Sequence, residues 1–241
     1  MTGDKLVLGA VASLLAVGLL AGRSPTKTSI PRQPGTLLGQ RLIYRSPGRM
    51  DAASRGFISK PTPGWLDLDY QIPDPPGKQE ALDELDYLTS IIPERSRMGS
   101  FVQAADEDIV GVFLNRCDDL GVSCSRQKLS EIVREAGIVI TKMKWRFNRP
   151  RPFQVAAANG IDFVPMDSVT ADSPAYPSGH TIQSYLMASW LGKRHPEHLD
   201  ELMELAQMIS YSRLVGGFHW PSDHRAGVLV AQQIARSGGR P

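Results

Sequence analysis

The chain has 241 residues and a formal net charge of only +2, which suits one domain with a sizeable core plus an N-terminal extension. Such a weak net charge gives no indication of nucleic-acid binding, so we expect no nucleic-acid partner. The two cysteines, Cys117 and Cys124, do not support a cysteine metal site. Their spacing leaves both a small-loop disulfide and two free thiols open.

The N-terminus carries an uncharged apolar segment, residues 6–22, between Lys5 and Arg23. Its length suits either a secretory signal peptide or a minimal membrane-spanning helix, so residues 1–24 are assigned to one of these. The lack of a clear cleavage site favours an uncleaved signal anchor and a possible membrane tether. We therefore expect a protein that is membrane-anchored by one N-terminal helix or exported, for example to the periplasm.

Residues 25–78 are rich in Pro, Gly, Ser, Thr and Arg, which predicts an irregular linker or arm, with Trp65-Leu66-Asp67-Leu68 docking it onto the core. Residues 79–241 form the predicted functional domain. Apolar residues recur there at helical spacing, and no strand-like alternation persists. The helical segments are 79–92, 100–120, 125–147, 178–193, 198–215 and 223–236. The predicted fold is all-α, a compact helical bundle preceded by the arm and the hydrophobic segment.

Three cations occupy motif-like positions in this domain. Lys144 and Arg151 lie in a Lys-x6-Arg-Pro pattern, and Arg213 follows Ser212. A guanidinium group can grip two oxygens of an anion at once, while an ammonium group supplies a point charge. Together the three side chains could hold a phosphoryl group and neutralise the charge that develops during its transfer. We therefore expect that no metal is required.

The sequence Pro177-Ser178-Gly179-His180 precedes an apolar helical segment. This order places the backbone amides of Ser178, Gly179 and His180 at a helix N-terminus, where unpaired donors and the helix dipole favour an anion. Gly179 allows close approach because it has no Cβ.

Two histidines and one aspartate complete the candidate chemistry. Asp223 follows His219 by four positions, so its carboxylate can keep one ring nitrogen protonated and leave the other as a nucleophile. His180 comes from a different segment and could act as the general acid and then as the base.

These motifs resemble the superfamily of type 2 phosphatidic acid phosphatases and vanadium haloperoxidases. The Tyr176-Pro177-Ser178-Gly179-His180-Thr181 and Arg151-Pro152-Phe153 sequences are most similar to its bacterial class A non-specific acid phosphatases. The likeness covers roughly residues 100–237. It implies catalytic roles for His219, His180 and Asp223, and phosphate binding by Lys144, Arg151, Ser178, Gly179 and Arg213.

The first motif fits the sequence in two registers. Lys142 and Arg149 satisfy the same pattern as Lys144 and Arg151, because the chain repeats Arg-Pro. Members of the resembled family often carry this doubling with the second pair functional, and Phe153 follows here, so we favour Lys144 and Arg151.

The leading functional hypothesis is a metal-independent phosphatase that hydrolyses phosphate monoesters, including lipid phosphates or diphosphates, through a phosphohistidine. Its partner is a phosphorylated small-molecule or lipid substrate, and no cofactor is expected. One alternative is a vanadium-dependent haloperoxidase, in which vanadate would be the cofactor bound by His219. Another is a phosphate-binding protein of the same fold.

Several neighbouring residues have weaker assignments. The acidic cluster 106–108 is interpreted as a helix N-terminal turn and not as a metal site. Trp220 is a candidate for lining the pocket, with Phe218 and the 154–176 loop as further determinants of specificity. His224 is expected at the surface.

Overall fold

The computed structural model describes residue 65 and residues 68–237, and within that range the chain is helical with no strand. Eight α-helices follow one another: α1 Lys78–Ser90, α2 Arg95–Glu107, α3 Ile109–Leu120, α4 Arg126–Phe147, α5 Pro152–Ala158, α6 Gly179–Gly192, α7 Leu199–Val215 and α8 Pro221–Arg236. Short 3-10 turns, Ile92–Glu94 and Pro196–His198, precede α2 and α7. The prediction of a compact all-α domain is confirmed for the described residues.

The helix boundaries follow local sequence signals. Ser125 caps α4 by accepting a hydrogen bond from the Lys128 amide, and Gly121 ends α3 in the left-handed conformation. The single helix predicted over 100–120 is wrong, because Asp108 breaks it and caps α3 through the Gly111 amide. Helix α5, which starts at Pro152, was not predicted. Proline suits the first position of a helix, where its missing N–H costs nothing.

Helix α6 is the centre of the bundle. It packs against α7, α8 and α4, while α2 packs against α7. Apolar residues surround α6 on most sides, as expected of a helix enclosed by others, and Ile182, Met187 and Ala188 are fully buried. A second apolar cluster joins α1, α2 and α5 to the end of α7 and to Trp220. Both clusters border the same end of the bundle, where α6 and α8 begin.

The end of the arm contacts the bundle. Trp65 is buried in the main core, and the Tyr70 hydroxyl donates to its carbonyl oxygen. The backbone amide of Gln71 donates to the side chain of Gln233 on α8. The predicted signal segment 1–24 and nearly all of the arm up to residue 64 lie outside the described residues.

A disulfide joins Cys117 at the end of α3 to Cys124, just before α4. It closes the turn at Gly121 and resolves the alternative that the sequence left open. As for membrane insertion, none of the helices among residues 68–237 has the length and apolar character to span a bilayer.

Candidate active site

The N-termini of α6 and α8 meet at one end of the bundle. Ser178 is the N-cap of α6, and its backbone N–H donates to the Asp223 carbonyl oxygen at 3.0 Å. The prediction that this N–H faces an anion is therefore wrong. The amides of Gly179 and His180 lie in the first turn of α6, where a helix offers no carbonyl partner. These two amides, the Ser178 hydroxyl and the His180 ring are groups that the start of α6 can present to a ligand.

Gly179 lies close to α4. A methyl group at this position would come within 3.2 Å of Ile140 Cγ2 and 3.8 Å of Lys144 Cε. Glycine therefore lets the start of α6 approach the helix that carries Lys144.

His219 and Asp223 form a buried pair. The Nδ1 atom of His219 lies 3.0 Å from Asp223 Oδ2, which also accepts the Trp220 amide at 2.9 Å. Trp220 is the N-cap of α8 and Asp223 its third residue, so the helix start itself fixes the carboxylate next to the ring.

The contact made by the second ring nitrogen of His219, Nε2, indicates which tautomer its imidazole adopts. Arg151 Nη1 lies 3.0 Å from His219 Nε2 and also donates to the Phe218 carbonyl. A guanidinium group can only donate, so Nε2 must accept with its lone pair. The imidazole is then neutral, with its proton on Nδ1 facing Asp223. This is the tautomer that a nucleophilic Nε2 requires.

The remaining cations of the site are held by backbone and carboxylate groups. Lys144 Nζ donates to the Pro174 carbonyl at 2.6 Å, and Arg151 Nε to the Ser173 carbonyl at 2.8 Å. Arg213 Nη2 donates to Asp106 Oδ1 at 2.6 Å. Its Nε and Nη1 are buried and find no partner among residues 68–237. Unpaired buried donors are costly, so an anion that accepted from them would be stabilised.

Burial and mutual repulsion lower the proton affinity of this cluster. Burial, followed by the charge of Arg151, lowers the pKa of Lys144. Burial also lowers the pKa of His219 and of His180 well below 6.5, with Arg151 the next cause for His219 and Arg213 for His180. The partly exposed His180 ring lies near enough to contribute to the shift of His219. A bound anion would reverse these effects by compensating the positive charge.

The structure separates the two registers of the first motif. Lys144 is buried in the site, whereas Lys142 is exposed on the surface of α4. Arg151 contacts His219, whereas Arg149 donates to Asp223 Oδ1 and to Glu84. The fold thus brings Lys144 and Arg151 to the histidine, and Arg149 lies behind the aspartate.

The comparison with known families agrees with this arrangement. Residues 129–236 match the model of the PAP2 superfamily. The resemblance stated from the motifs is confirmed, and all eight predicted site residues lie inside this PAP2 segment.

Curated relatives extend the comparison. The chain is 33% identical over 107 residues to a non-specific acid phosphatase of Providencia stuartii, covering 43% of this chain and 42% of that protein. It is 35% identical over 111 residues to the non-specific acid phosphatase of Salmonella typhi, covering 45% and 44%. An acid phosphatase of Zymomonas mobilis is 34% identical over 92 residues, covering 38% and 34%. The chain spans less than half the length of the curated relatives it matches.

Two carboxylates that support the PAP2 segment come from outside it. Asp106 accepts from Arg213 and from the 168–170 loop. The interpretation of the acidic cluster as a helix N-terminal turn is wrong for Asp106 and Glu107, which end α2, whereas Asp108 caps α3. Glu84 on α1 binds Arg149 and Ser222. The acidic cluster around Asp106 is a sequence pattern that could have indicated this supporting carboxylate, whereas no local pattern distinguishes Glu84. Residues 68–237 contain no group of three or more His, Cys, Asp or Glu side chains that could hold a metal.

Three weaker assignments are also corrected. Trp220 does not line a pocket: it is fully buried, and its indole N–H donates to the Pro150 carbonyl. Phe218 is likewise fully buried, beneath the Arg213 guanidinium at 4.4 Å. His224 is half-buried, with Nδ1 against the Ser210 hydroxyl, and burial lowers its pKa to about 4.

Proposed function

We propose that this protein is a phosphatase that hydrolyses phosphate monoesters through a phosphohistidine on His219. The observation that carries the proposal is the pair of contacts that the two ring nitrogens of His219 make with Arg151 and Asp223, each at 3.0 Å. The Nε2 lone pair of this ring faces Arg151, and its Nδ1–H is held by Asp223. The names of the relatives, which are acid phosphatases, support the same reaction.

Substrate binding would use the cations around this ring. Lys144, Arg151 and Arg213 offer their charge to the phosphoryl oxygens, and Arg213 has two unpaired donors available. The guanidinium of Arg151 moves its hydrogen bond from Nε2 to a phosphoryl oxygen, which frees the lone pair for attack. Three cationic groups neutralise the phosphate without a metal ion.

The reaction proceeds in two steps. His219 Nε2 attacks phosphorus, the ester P–O bond breaks, and protonated His180 gives its proton to the departing alkoxide. His180 then removes a proton from water, whose oxygen attacks phosphorus and breaks the P–N bond. Phosphate leaves, His219 returns to its neutral form, and His180 is again protonated. The bound dianion supports protonation of His180 because it raises the pKa that the empty site lowers.

The substrate class and location are part of the same proposal. A terminal phosphate monoester is the shared group, with lipid phosphates and diphosphates as the specific subclass to test. The disulfide Cys117–Cys124 supports export to an oxidising compartment, and residues 6–22 would serve as the export signal or the membrane tether.

The test is phosphate release from an aryl phosphate in the presence of EDTA. Wild type should be active, and His219→Ala should lose at least about a thousandfold in kcat, as expected when a nucleophile is removed. His195→Ala, away from the site, is the matched control. Acid-labile phosphate should be trapped on wild type and not on His219→Ala.

His180 gives a second, sharper readout. An aryl leaving group needs little protonation, so His180→Ala should still form the phosphoenzyme and then hydrolyse it slowly, giving a burst of phenol. Activity that EDTA removes but His219→Ala retains would refute the mechanism. Halide oxidation that depends on added vanadate and peroxide would favour the haloperoxidase alternative, and binding without turnover would favour a phosphate-binding protein.

A further inference from the structure

The Asp223 carboxylate uses both of its oxygens. Oδ2 accepts from His219 Nδ1 and from the Trp220 amide, while Oδ1 accepts from Arg149 Nη1 at 2.6 Å. The last contact is an ion pair in which both side chains are almost completely buried. A charge-assisted hydrogen bond of this kind both orients a carboxylate and favours its ionised form.

Arg149 is itself fixed from several directions. Its Nη2 donates to Glu84 Oε2 at 2.9 Å, and its Nη1 also reaches the Ser222 hydroxyl at 2.6 Å. Its guanidinium lies over the Trp220 ring at 4.8 Å. Because the planar guanidinium is stacked on the Trp220 ring and hydrogen-bonded along its edge, it has little freedom to turn. The position of Arg149 Nη1 beside Asp223 is therefore well defined.

Glu84 closes the network from α1. Oε2 accepts from Arg149 and from the Ser222 hydroxyl, and Oε1 accepts from the Ser222 amide at 2.6 Å and from Arg225 Nη2 at 3.2 Å. The Ser222 amide belongs to the first turn of α8, next to Asp223. Glu84 therefore anchors the start of α8 while balancing the charge of Arg149, which a buried cation requires.

We propose that Arg149 and Glu84 are positioning residues for the His219–Asp223 pair: Arg149 orients the Asp223 carboxylate and keeps it ionised, and Glu84 holds Arg149 in place. The inference rests on the proposed function. It extends the machinery from the PAP2 segment to a helix that precedes it.

The charges around Asp223 predict opposite effects for the two residues. Burial raises the pKa of Asp223, Arg149 lowers it and Glu84 raises it. Other groups that interact with Asp223 are His219, Lys144 and Tyr176, with Arg225 beyond Glu84. Removing the charge of Arg149 should therefore raise the pKa of Asp223, and removing that of Glu84 should lower it.

The experiment compares Arg149→Gln, Arg149→Lys and Glu84→Gln in the full chain. The matched control is Arg146→Gln, which removes the same charge from an exposed position three residues earlier. Arg149→Gln should lower kcat by about 10- to 100-fold, by analogy with groups that orient metal-binding histidines, and leave KM within about threefold. Arg149→Lys should recover part of this loss, and the control should match wild type.

The pH profile separates positioning from a merely structural role. His219 needs an ionised Asp223, so kcat falls on the acidic side as the carboxylate is protonated. This acidic limb should move to higher pH in Arg149→Gln, less so in Arg149→Lys, and to lower pH in Glu84→Gln. Loss of activity with an unmoved limb would overturn the proposal. So would a raised KM with unchanged kcat, which would assign Arg149 to substrate binding.

A readout independent of turnover completes the test. The His219 Nδ1 proton bonded to Asp223 should give a downfield proton resonance that is absent in His219→Ala. Arg149→Gln should raise the pH at which this resonance is lost, and an unchanged titration would refute the inference. If wild type released no phosphate, the proposed function would fail, while this titration would still decide the role of Arg149.

Discussion

Asp106→Asn is the most informative single substitution outside the PAP2 segment. Asp106 accepts hydrogen bonds from Arg213, from the Ser168 hydroxyl at 2.9 Å and from the Val169 amide at 2.6 Å, and Thr170 also donates to it. The carboxylate therefore joins α2 to Arg213, a cation of the candidate site, and to the loop before α6. An asparagine of the same shape would keep the volume, remove the charge and turn an NH2 group toward one set of donors.

The expected cost follows from the ionisation of this carboxyl. Burial raises the pKa of Asp106, but the hydrogen bond from Thr170 and the charge of Arg213 outweigh it and bring the pKa from 3.8 to about 2. At 1.36 kcal/mol for each pH unit, and with allowance for solvent screening, the ionised form contributes on the order of 1–2 kcal/mol to the free energy of unfolding at neutral pH. The folded-state pKa is the lower one, so this contribution is complete above pH 3.8 and is lost as the pH falls toward 2.

The assay is denaturant unfolding at pH 7 and near pH 3, with aryl phosphate kinetics at the optimum pH. Asp106→Asn should be on the order of 1–2 kcal/mol less stable than wild type at pH 7, and this stability gap should narrow at pH 3. Its KM should rise about tenfold, equivalent to 1.4 kcal/mol, because Arg213 loses its anchor. Glu107→Gln is the matched control, since Glu107 is the exposed neighbour on the same helix.

Two outcomes would contradict this reasoning. If Asp106→Asn were as stable as Glu107→Gln at pH 7, the buried ion pair would contribute nothing to folding. A stability gap of equal size at pH 7 and pH 3 would show that the loss comes from altered packing and not from the charge.

Three further predictions concern packing, covalent linkage and protonation. A methyl group at Gly227 would lie 3.0 Å from a backbone oxygen of the turn that starts α6, so Gly227→Ala should cost about 1–3 kcal/mol in unfolding free energy and reduce kcat. Gly99→Ala, with its nearest contact at 3.6 Å, should be tolerated in the same unfolding assay. Replacing Cys117 and Cys124 by serine should lower stability by about 2.5 kcal/mol, measured by denaturant unfolding, with unchanged aryl phosphate kinetics. Burial lowers the pKa of His224 from 6.5 to about 4, so the unfolded chain binds protons first as the pH falls through this range. Thermal stability of the ligand-free protein should therefore decrease from pH 6.5 to 4, and His224→Gln should flatten that decrease; an unchanged slope would contradict it.

Local chemistry explains what could be predicted from the sequence. The four-residue spacing of His219 and Asp223 places them at one helix start, and the Ser-Gly-His order marks the start of another. The helices predicted over 125–147 and 198–215 agree with the observed helices to within one residue at each end. Apolar spacing and capping residues act within a few residues of the chain, so they can be recognised in the sequence. The break at Asp108 was missed since the apolar spacing continues across it.

The partners of these side chains required the tertiary structure. Arg213 meets Asp106 across 107 residues of sequence, and Arg149 meets Glu84 across 65. Such pairs depend on how helices pack, and the periodicity of each helix carries no information about that.

By itself, the sequence determined which side chains could perform phosphoryl chemistry and on which helix ends they lie, because these properties depend on residue type and short spacing. Only the packing of α1, α2 and α4 against α6–α8 decided which arginine faces His219, which one supports Asp223, and which carboxylates neutralise them. The physical reason is that a buried charge must find its counter-charge in space, wherever along the chain that partner happens to lie.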